Sequence, residues 1–151
     1  MHTVTGRIII MTIGLLGMTG CAGERPLNLG TKDGVLMACP SSPNCVSSQA
    51  ADEAHRIAPL TFSGDPDMAF TRLKQVIGQR SDATIIEEKP GYLRVELRTI
   101  LFVDDGEFLL DRTHSVIQVR SASRLGYSDL GKNRSRMEEI RSQYIAAEGK
   151  S

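Results

Sequence analysis

The most regular pattern in the chain is an alternation of apolar and polar residues over residues 92–101. Successive side chains of a β-strand point to opposite faces of the sheet, so this alternation predicts an antiparallel strand with one buried face. The polar row contains Arg94, Glu96 and Arg98, which we expect to face solvent. The Pro90-Gly91 pair just before the strand fits the central positions of a type II turn, so a hairpin is predicted here.

Further strand and turn signals flank this hairpin. Asp105-Gly106 is a hairpin signature, and residues 111–114 contain a second turn, so two more strands are predicted after the first pair. Upstream, residues 55–62 predict an edge strand, because Pro59 has no N–H to donate to a neighbouring strand.

Two segments repeat apolar residues at helical spacing. The first follows Asp65, a favoured N-cap residue, and Pro66, which suits the first helical position. Gly78 is predicted to end this helix.

The second helix contains an apolar side that includes Met137 and Ile140. It begins either at a capping box formed by Ser135 and Glu138 or earlier, near Asp129. The element order is therefore strand, helix, four strands, helix. This order predicts an α+β fold, with an antiparallel sheet of about five strands and two helices on one face.

The first 20 residues have the pattern of a secretory signal peptide. Arg7 precedes an apolar run over residues 8–18, which is too short to span a bilayer as a mature helix. The run ends in Met18-Thr19-Gly20-Cys21, which resembles a bacterial lipobox, the segment that ends in the acylated cysteine. The alternative is ordinary signal cleavage, which would leave Cys21 as a spare thiol.

Acylation of Cys21, with palmitate among its chains, would anchor the protein stably, because one acyl chain alone binds a bilayer only marginally. Ala22 follows the cysteine, and similarity to Gram-negative lipoproteins then favours the periplasmic face of the outer membrane. Residues 21–35 are predicted to be a lipidated tether, residues 36–147 a single globular domain and residues 148–151 a tail.

Composition narrows the classes of partner. The chain has 18 acidic and 18 basic residues, and loss of the leader removes one arginine, so the mature formal net charge is −1. Tryptophan is absent and aromatic residues make up 5% of the chain. Such a domain offers neither the electrostatic attraction nor the stacking surfaces that nucleic acids need, so no nucleic-acid partner is expected.

Two cysteines remain after Cys21. Cys39 and Cys45 form a close pair in an exported chain, which favours a disulfide. Zinc would require two more ligands, and His55 and His114 are the only histidines of the mature chain. The spacing also differs from the Cys-x-x-Cys of redox-active pairs. We therefore predict a disulfide, no metal and no cofactor.

Residues 120–136 form a polar stretch between a predicted strand and a predicted helix, with four arginines and four serines. Its candidate residues are Arg120, Ser121, Ser123, Arg124, Ser128, Asp129 and Asn133. Two interpretations remain open. Either Arg120 and Arg124 pair with Asp104, Asp105 or Asp129 in a fixed ion network, or they hold a phosphate or carboxylate near a helix N-terminus.

No catalytic residue is assigned. Residues 126–131 are similar to a nucleophile elbow, but the second glycine stands one position too far along. Nothing in the spacing brings His114 to Ser128 as a base. The acidic residues between 104 and 107 are explained by turn chemistry alone.

Three segments resemble the domain-of-unknown-function 1499 family. They are CPSSPNCVSS at residues 39–48, FVDDGEFLLD at residues 102–111 and VRSASRLGYSDLGKNRSRMEEIR at residues 119–141. The resemblance runs from Cys39 to Tyr144, and Gly106 is smaller than the residue it leads us to expect. It implies no activity, but the family includes bacterial lipoproteins and membrane-linked proteins, which agrees with the leader.

These observations predict a membrane-anchored envelope lipoprotein that acts as a non-catalytic binding or structural module. Besides the membrane that holds its N-terminal lipid, its partner would be a lipid, a cell-wall fragment or a protein. The alternative is an envelope hydrolase or transferase that uses the Arg, Ser and Asp residues of the polar stretch.

Overall fold

The computed structural model describes residues 23–149. The predicted signal peptide, the predicted acylated Cys21 and the last two residues of the predicted tail lie outside the described residues. The described chain forms β1 (Thr31–Lys32), β2 (Val35–Leu36), β3 (Cys45–Ser47), β4 (Leu60–Thr61), α1 (Pro66–Gly78), β5 (Ala83–Lys89), β6 (Tyr92–Arg98), β7 (Val103–Asp111), β8 (Val116–Ser123) and α2 (Lys132–Glu148).

Six of these strands form one antiparallel sheet in the order β3-β8-β7-β6-β5, with β4 also paired to β8. β1 and β2 form a separate hairpin. The predicted α+β fold is confirmed, with one strand more than the five expected, because Cys45–Ser47 adds a short strand along β8. The predicted strand over residues 55–62 is present only as the two residues of β4.

Both helices cover the face of the sheet that carries the apolar row of β6. Leu93, Val95 and Leu97 are fully buried there. They belong to one core cluster with residues of both helices, among them Leu73 of α1 and Ile140 of α2. Because a register shift of one residue would move this apolar row away from the helices, the alternation fixes which face of the strand meets the core.

α1 begins and ends where the sequence predicts. The Asp65 side chain accepts hydrogen bonds from the backbone N–H groups of Asp67 and Met68, both at 2.9 Å. Pro66 is the first residue of the helix and Gly78 is the last. The cap therefore satisfies two of the N–H groups that have no partner inside the helix.

α2 begins at Lys132, so the predicted capping box of Ser135 and Glu138 is wrong. The Asp129 side chain instead accepts hydrogen bonds from the backbone N–H of Gly131 at 3.0 Å and of Asn133 at 2.7 Å. The alternative prediction, a helix start near Asp129, is therefore closer to the observed first residue, Lys132. Ser135 already lies inside the helix, where its backbone N–H bonds to the Gly131 carbonyl.

The Asp105-Gly106 pair lies in the middle of β7, so the hairpin turn predicted there is wrong. Residues 99–102 connect β6 to β7 instead. A Cβ atom added at Gly106 would lie 2.9 Å from side-chain atoms of Val95 and Leu97. Glycine at this position therefore makes room for the core, and its presence has nothing to do with a turn.

The polar row of β6 is not solvated, contrary to the prediction from its alternation. Arg94 is 8% exposed and Glu96 is 2% exposed, and of the row only Arg98 is exposed. Residues 24–30, which we call the strap, lie against this face through hydrogen bonds to three of its side chains. The strap forms part of the segment predicted to be a tether, so ordered structure begins earlier in the chain than position 36.

Candidate functional site

Charged residues from three neighbouring strands meet on the face of the sheet opposite the helices. The antiparallel register of β6, β7 and β8 places their polar rows side by side. The group, which we call the outer-face network, consists of Arg94, Glu96, Asp105, Glu107, Arg120 and Arg124. Their side chains are between 0% and 10% exposed. The network thus holds three buried cations and three buried anions.

Arg124 binds two carboxylates of this network. Its Nε donates to Asp105 Oδ2 at 2.7 Å and its Nη2 donates to Asp105 Oδ1 at 2.9 Å. The same Nη2 donates to Glu96 Oε1 at 2.7 Å. Hydrogen bonding to Asp105 outweighs the effect of burial and raises the pKa of Arg124 above its ordinary value. One guanidinium group therefore joins β7, β6 and the segment after β8.

Glu107 is the centre of a second set of contacts. Its Oε2 accepts a hydrogen bond from Arg120 Nη1 at 3.0 Å, and its Oε1 accepts one from the Tyr92 hydroxyl at 2.7 Å. Burial, together with the hydrogen bond and negative charge of Glu107, raises the pKa of Tyr92 well above its ordinary value. Tyr92 is therefore a neutral hydrogen-bond donor, and it acts in the structure as a fixed partner of the carboxylate.

The strap contributes further hydrogen bonds to the outer-face network. Arg25 donates two hydrogen bonds to Glu96 Oε1, from Nε at 2.9 Å and from Nη2 at 2.6 Å. Arg94 Nη2 donates to the Pro26 carbonyl at 3.0 Å. The backbone N–H of Gly30 donates to Glu107 Oε1 at 2.7 Å. The charges of the sheet thus hold the N-terminal segment in place across it.

Glu96 shows how the network stabilises an anion away from water. Burial acts to raise its pKa, but hydrogen bonds from Arg124, Arg25 and Arg98 act in the other direction and lower the pKa to about 2. The carboxylate is therefore ionised at neutral pH, although its side chain is 2% exposed. A carboxylate that is ionised and occupied by three guanidinium groups cannot serve as a general acid or base near pH 7.

A cleft of about 360 Å³ opens where the strap and the disulfide loop (residues 39–45) meet the network. Asp105, Arg120 and Arg124 line it from the sheet, and Leu29 and Met37 line it from the N-terminal segment. Arg120 is 5% exposed, and its Nε has no hydrogen-bond partner within residues 23–149. At the cleft, Arg120 and Arg124 thus donate to carboxylates of the sheet, and the buried Nε of Arg120 is left without a partner among these residues.

The disulfide loop is closed as predicted, by a bond between Cys39 and Cys45 whose Cα atoms lie 5.7 Å apart. Cys45 is the first residue of β3 and pairs with Ala122 of β8. The Asn44 side chain donates to the Gly126 carbonyl at 2.6 Å. The loop is therefore fixed both to the sheet and to the segment between β8 and α2.

Three residues of the predicted cluster, Ser121, Ser123 and Asn133, are bonded to one another between β8 and α2. Asn133 of α2 is fully buried, and its Oδ1 accepts a hydrogen bond from the Ser121 hydroxyl at 2.5 Å. Its Nδ2 donates to Ser123 Oγ at 2.9 Å and to the Asn44 carbonyl at 3.0 Å. Asn133 therefore connects α2 to β8 and to the disulfide loop.

The side chains of the remaining two predicted residues, Asp129 and Ser128, accept hydrogen bonds from backbone N–H groups. Asp129 accepts hydrogen bonds at the start of α2, as described above. Of the carboxylates considered as partners of Arg124, Asp105 is the one that binds it. Ser128 is exposed, and its hydroxyl accepts a hydrogen bond from the backbone N–H of Leu130 at 3.2 Å. Strand register, which the sequence alone did not provide, brings Asp105 and not Asp129 to Arg124.

A buried ion pair between Arg136 and Asp104 was missed by the sequence reasoning. Arg136 lies within α2, is 1% exposed, and its Nη1 contacts Asp104 Oδ2 at 2.5 Å. Its Nε lies 3.4 Å from Asp82 Oδ2. A signal was available, because two adjacent aspartates in one strand must point to opposite faces, so Asp104 needs a partner on the helix side.

His114 and Ser128 lie beyond opposite ends of β8, whose eight residues span roughly 26 Å. The His114 ring contacts Asp111 at 2.8 Å in the turn between β7 and β8. The two residues are thus too far apart to act as a nucleophile and its base. Across residues 23–149, no group of three or more His, Cys, Asp or Glu side chains is arranged to hold a metal ion. Neither of the helices in the described part of the chain has the length and apolar character of a membrane span.

Comparison with known protein families identifies the family to which this chain belongs. Comparisons with curated proteins and with solved structures gave no match. One family, described as a protein of unknown function (DUF1499), matches residues 35–144. This range includes the three segments that carried the resemblance and all six residues of the outer-face network. The chain is therefore a member of the DUF1499 family.

Proposed function

We propose that this protein is a lipid-anchored envelope lipoprotein that holds a non-catalytic α+β domain at a membrane surface, on the periplasmic face of the outer membrane. The observation that supports it best is that the polar side chains of the predicted cluster bind other groups of the protein. Arg120 and Arg124 bind carboxylates of the sheet, and Asp129 and Asn133 bind backbone and serine groups. These side chains stabilise the fold and the position of the strap.

The anchor is supported by the leader and by the path of the strap. Met18-Thr19-Gly20-Cys21 ends the apolar leader in the pattern of a lipobox. Four residues later, Arg25 is bonded to Glu96 on the sheet. The anchor at Cys21 would therefore hold the domain close to the bilayer rather than at the end of a long linker.

The enzymatic alternative finds less support. A hydrolase or transferase would need a serine or carboxylate that converges with the arginines in one pocket. Ser128 lines a groove that includes neither Arg120 nor Arg124. Ser123 lines the cleft together with both arginines, but its hydroxyl is bonded to Asn133, and Asp105 is already bound by Arg124. A binding role is compatible with the cleft lined by Arg120 and Arg124, where a carboxylate or phosphate of a lipid, cell-wall fragment or protein would lie beside two guanidinium groups.

Metabolic labelling with a palmitate analogue, followed by cell fractionation, tests the anchor. Wild-type protein should be labelled and found with membranes, and Cys21→Ser should lose the label and become soluble. A variant with both Cys39→Ser and Cys45→Ser should keep the label, because these cysteines are not the predicted acylation site. Equal labelling and fractionation of wild type and Cys21→Ser would contradict the proposal.

A further inference from the structure

Two neighbouring loops expose six large apolar side chains. The turn between β6 and β7 carries Ile100, Leu101 and Phe102, and the loop between β8 and α2 carries Leu125, Tyr127 and Leu130. The exposed fractions are 98%, 66% and 50% for the first three and 41%, 76% and 96% for the others. We call these six residues the apolar tip. Scattered exposed apolar residues are normal in proteins, but six on adjacent loops indicate a contact surface.

The two loops form one surface. Phe102 of the first loop and Leu125 and Leu130 of the second line the same groove of about 330 Å³. The first loop is held in shape by Thr99, whose backbone N–H donates to the Phe102 carbonyl at 2.9 Å. The apolar side chains are therefore presented by a fixed turn.

The chain enters the domain beside this surface. A Cβ atom added at Gly23 would lie 3.0 Å from Arg124 Cβ and 3.1 Å from Leu125 Cγ. Cys21 precedes Gly23 by two residues, and two residues span at most about 7 Å. An acyl group on Cys21 would therefore start within roughly 10 Å of Leu125, one of the residues of the apolar tip.

We propose that the apolar tip is a membrane-docking surface, which inserts its side chains into the bilayer interface next to the lipid anchor. This inference rests on the proposed anchoring at Cys21. The strap prevents the domain from moving away from its anchor, since Arg25 and Gly30 are bonded to the sheet. The anchor thus keeps the tip at a high effective concentration at the bilayer, so even a modest apolar affinity suffices for docking.

The chemistry of the surface matches a bilayer interface. Ile100, Leu101 and Leu130 supply aliphatic groups that gain free energy on leaving water. Tyr127 has an apolar ring and a polar hydroxyl, the combination that is favoured at the level of lipid headgroups. Exposed Lys132 lines the same groove and can contact lipid phosphates. Apolar side chains beside a cation are typical of surfaces that lie on anionic membranes.

Other exposed apolar side chains provide matched controls. Ile145 is 57% exposed and follows Lys132 by 13 residues in α2, about 20 Å along the helix axis. Met68 is 66% exposed and lies next to Ala69, whose carbonyl accepts a hydrogen bond from the Tyr144 hydroxyl. Both positions are therefore at the end of the helix layer that is distant from the apolar tip.

Because the chain has no tryptophan, a single introduced tryptophan reports on one position. Full-length lipidated Tyr127→Trp would be reconstituted in vesicles of phosphatidylethanolamine and phosphatidylglycerol, some with brominated acyl chains. Its fluorescence should shift to shorter wavelength and be quenched by bromine. Ile145→Trp in the same vesicles should show neither change. Adding Ile100→Ser and Leu130→Ser to Tyr127→Trp should abolish the shift while the protein still floats with the vesicles.

Unlipidated Cys21→Ser protein measures the affinity of the tip itself. It should bind the same vesicles weakly, and adding Leu130→Ser should lower the partition coefficient by roughly tenfold, whereas Met68→Ser should leave it unchanged. Lipidated protein that floats with an unshifted, unquenched Tyr127→Trp fluorophore overturns the docking surface alone. Full-length protein that carries no lipid overturns the anchor, and is recognised by labelling before any fluorescence is measured. Concentration-dependent dimers of Cys21→Ser that disappear in Leu130→Ser, without vesicle binding, would assign the tip to a second copy and overturn the membrane assignment.

Discussion

Arg124 donates two parallel hydrogen bonds to Asp105, from Nε to Oδ2 at 2.7 Å and from Nη2 to Oδ1 at 2.9 Å. Both side chains are almost fully buried, at 5% and 2% exposure. The pair joins the segment just after β8 to β7, and through Glu96 it also reaches β6. The geometry makes this contact the centre of the outer-face network, and its energetics can be measured.

Arg124→Ala should lower the free energy of unfolding by about 3–5 kcal/mol, because it leaves the buried carboxylates of Asp105 and Glu96 without this partner. Arg124→Ala with Asp105→Ala should cost less than the sum of the two single effects, because the two groups are in direct contact. Urea unfolding at neutral pH measures each variant.

Asp129→Ala provides the control for this cycle. Asp129 caps α2 and is not among the partners of Arg124, so its effect of about 1 kcal/mol should add to that of Arg124→Ala. Additive energies for Arg124 and Asp105, together with coupling between Arg124 and Asp129, would contradict the assigned pair. Anion-dependent stabilisation of the wild type that is lost in a stable Arg124→Ala protein would favour a ligand site instead.

Glu96 should make stability depend on pH in the acidic range. Its pKa is about 2 in the folded protein, below the ordinary value of 4.5. The stabilisation from its ionised form is therefore complete above about pH 4.5 and is lost as the pH falls toward 2, on the order of 3 kcal/mol in total. Urea unfolding from pH 7 down to pH 2.5 measures this loss.

Glu96→Gln is the matched variant for the pH experiment. It should be less stable than the wild type at pH 7 but should lose less stability on acidification, so the two curves converge at low pH. Asp82, whose pKa is also lowered, titrates in both proteins and cancels in the comparison. Parallel curves across the whole range would show that Glu96 does not carry the acid dependence.

Asn133→Ala should destabilise the domain by about 2 kcal/mol or more, because it leaves buried hydroxyl and carbonyl groups of Ser121, Ser123 and Asn44 without a partner. Ser135→Ala, on an exposed position of the same helix, should change stability by less than about 0.5 kcal/mol. Thermal unfolding of the two variants under identical conditions tests the contrast. Equal effects would mean that Asn133 is not an essential connection and that Ser135 contributes to the helix start.

Reduction of the bond between Cys39 and Cys45 should lower stability by about 2 kcal/mol, because the closed loop is short. Thiol counting on denatured, unreduced mature protein should find neither cysteine free. The double variant Cys39→Ser and Cys45→Ser should reproduce the loss of the reduced protein. Two free thiols in the native protein, or stoichiometric zinc, would contradict the disulfide.

Local patterns were enough to predict much of the fold. Asp65 and Pro66 set the start of α1, because a cap depends on residues within one turn of the helix. The alternation over residues 92–98 identified β6 and its core face, since side-chain direction in a strand depends only on position along it. The short separation of Cys39 and Cys45 in the sequence predicted the disulfide that joins them.

The alternation did not determine what covers the polar face of β6, which depends on the tertiary structure. A polar row in a strand indicates a face that differs from the core, but it does not state whether water or another segment covers that face. Here Arg25 reaches Glu96 from 71 residues away, so the row became a buried ion network. Strand register likewise gave Arg124 the partner Asp105, and core packing placed Gly106 inside β7.

The sequence by itself therefore determined both helices and most strands of the main sheet, the sheet face that meets the helices, the disulfide and the family. Each of these depends on spacing within a short segment or on the composition of the chain. Only the tertiary structure decided the partners of the arginines and the position of the strap over the sheet. It also brought the two exposed apolar loops together beside Gly23. The physical reason is that charge pairing and surface proximity depend on distances through space between segments that are far apart in the chain.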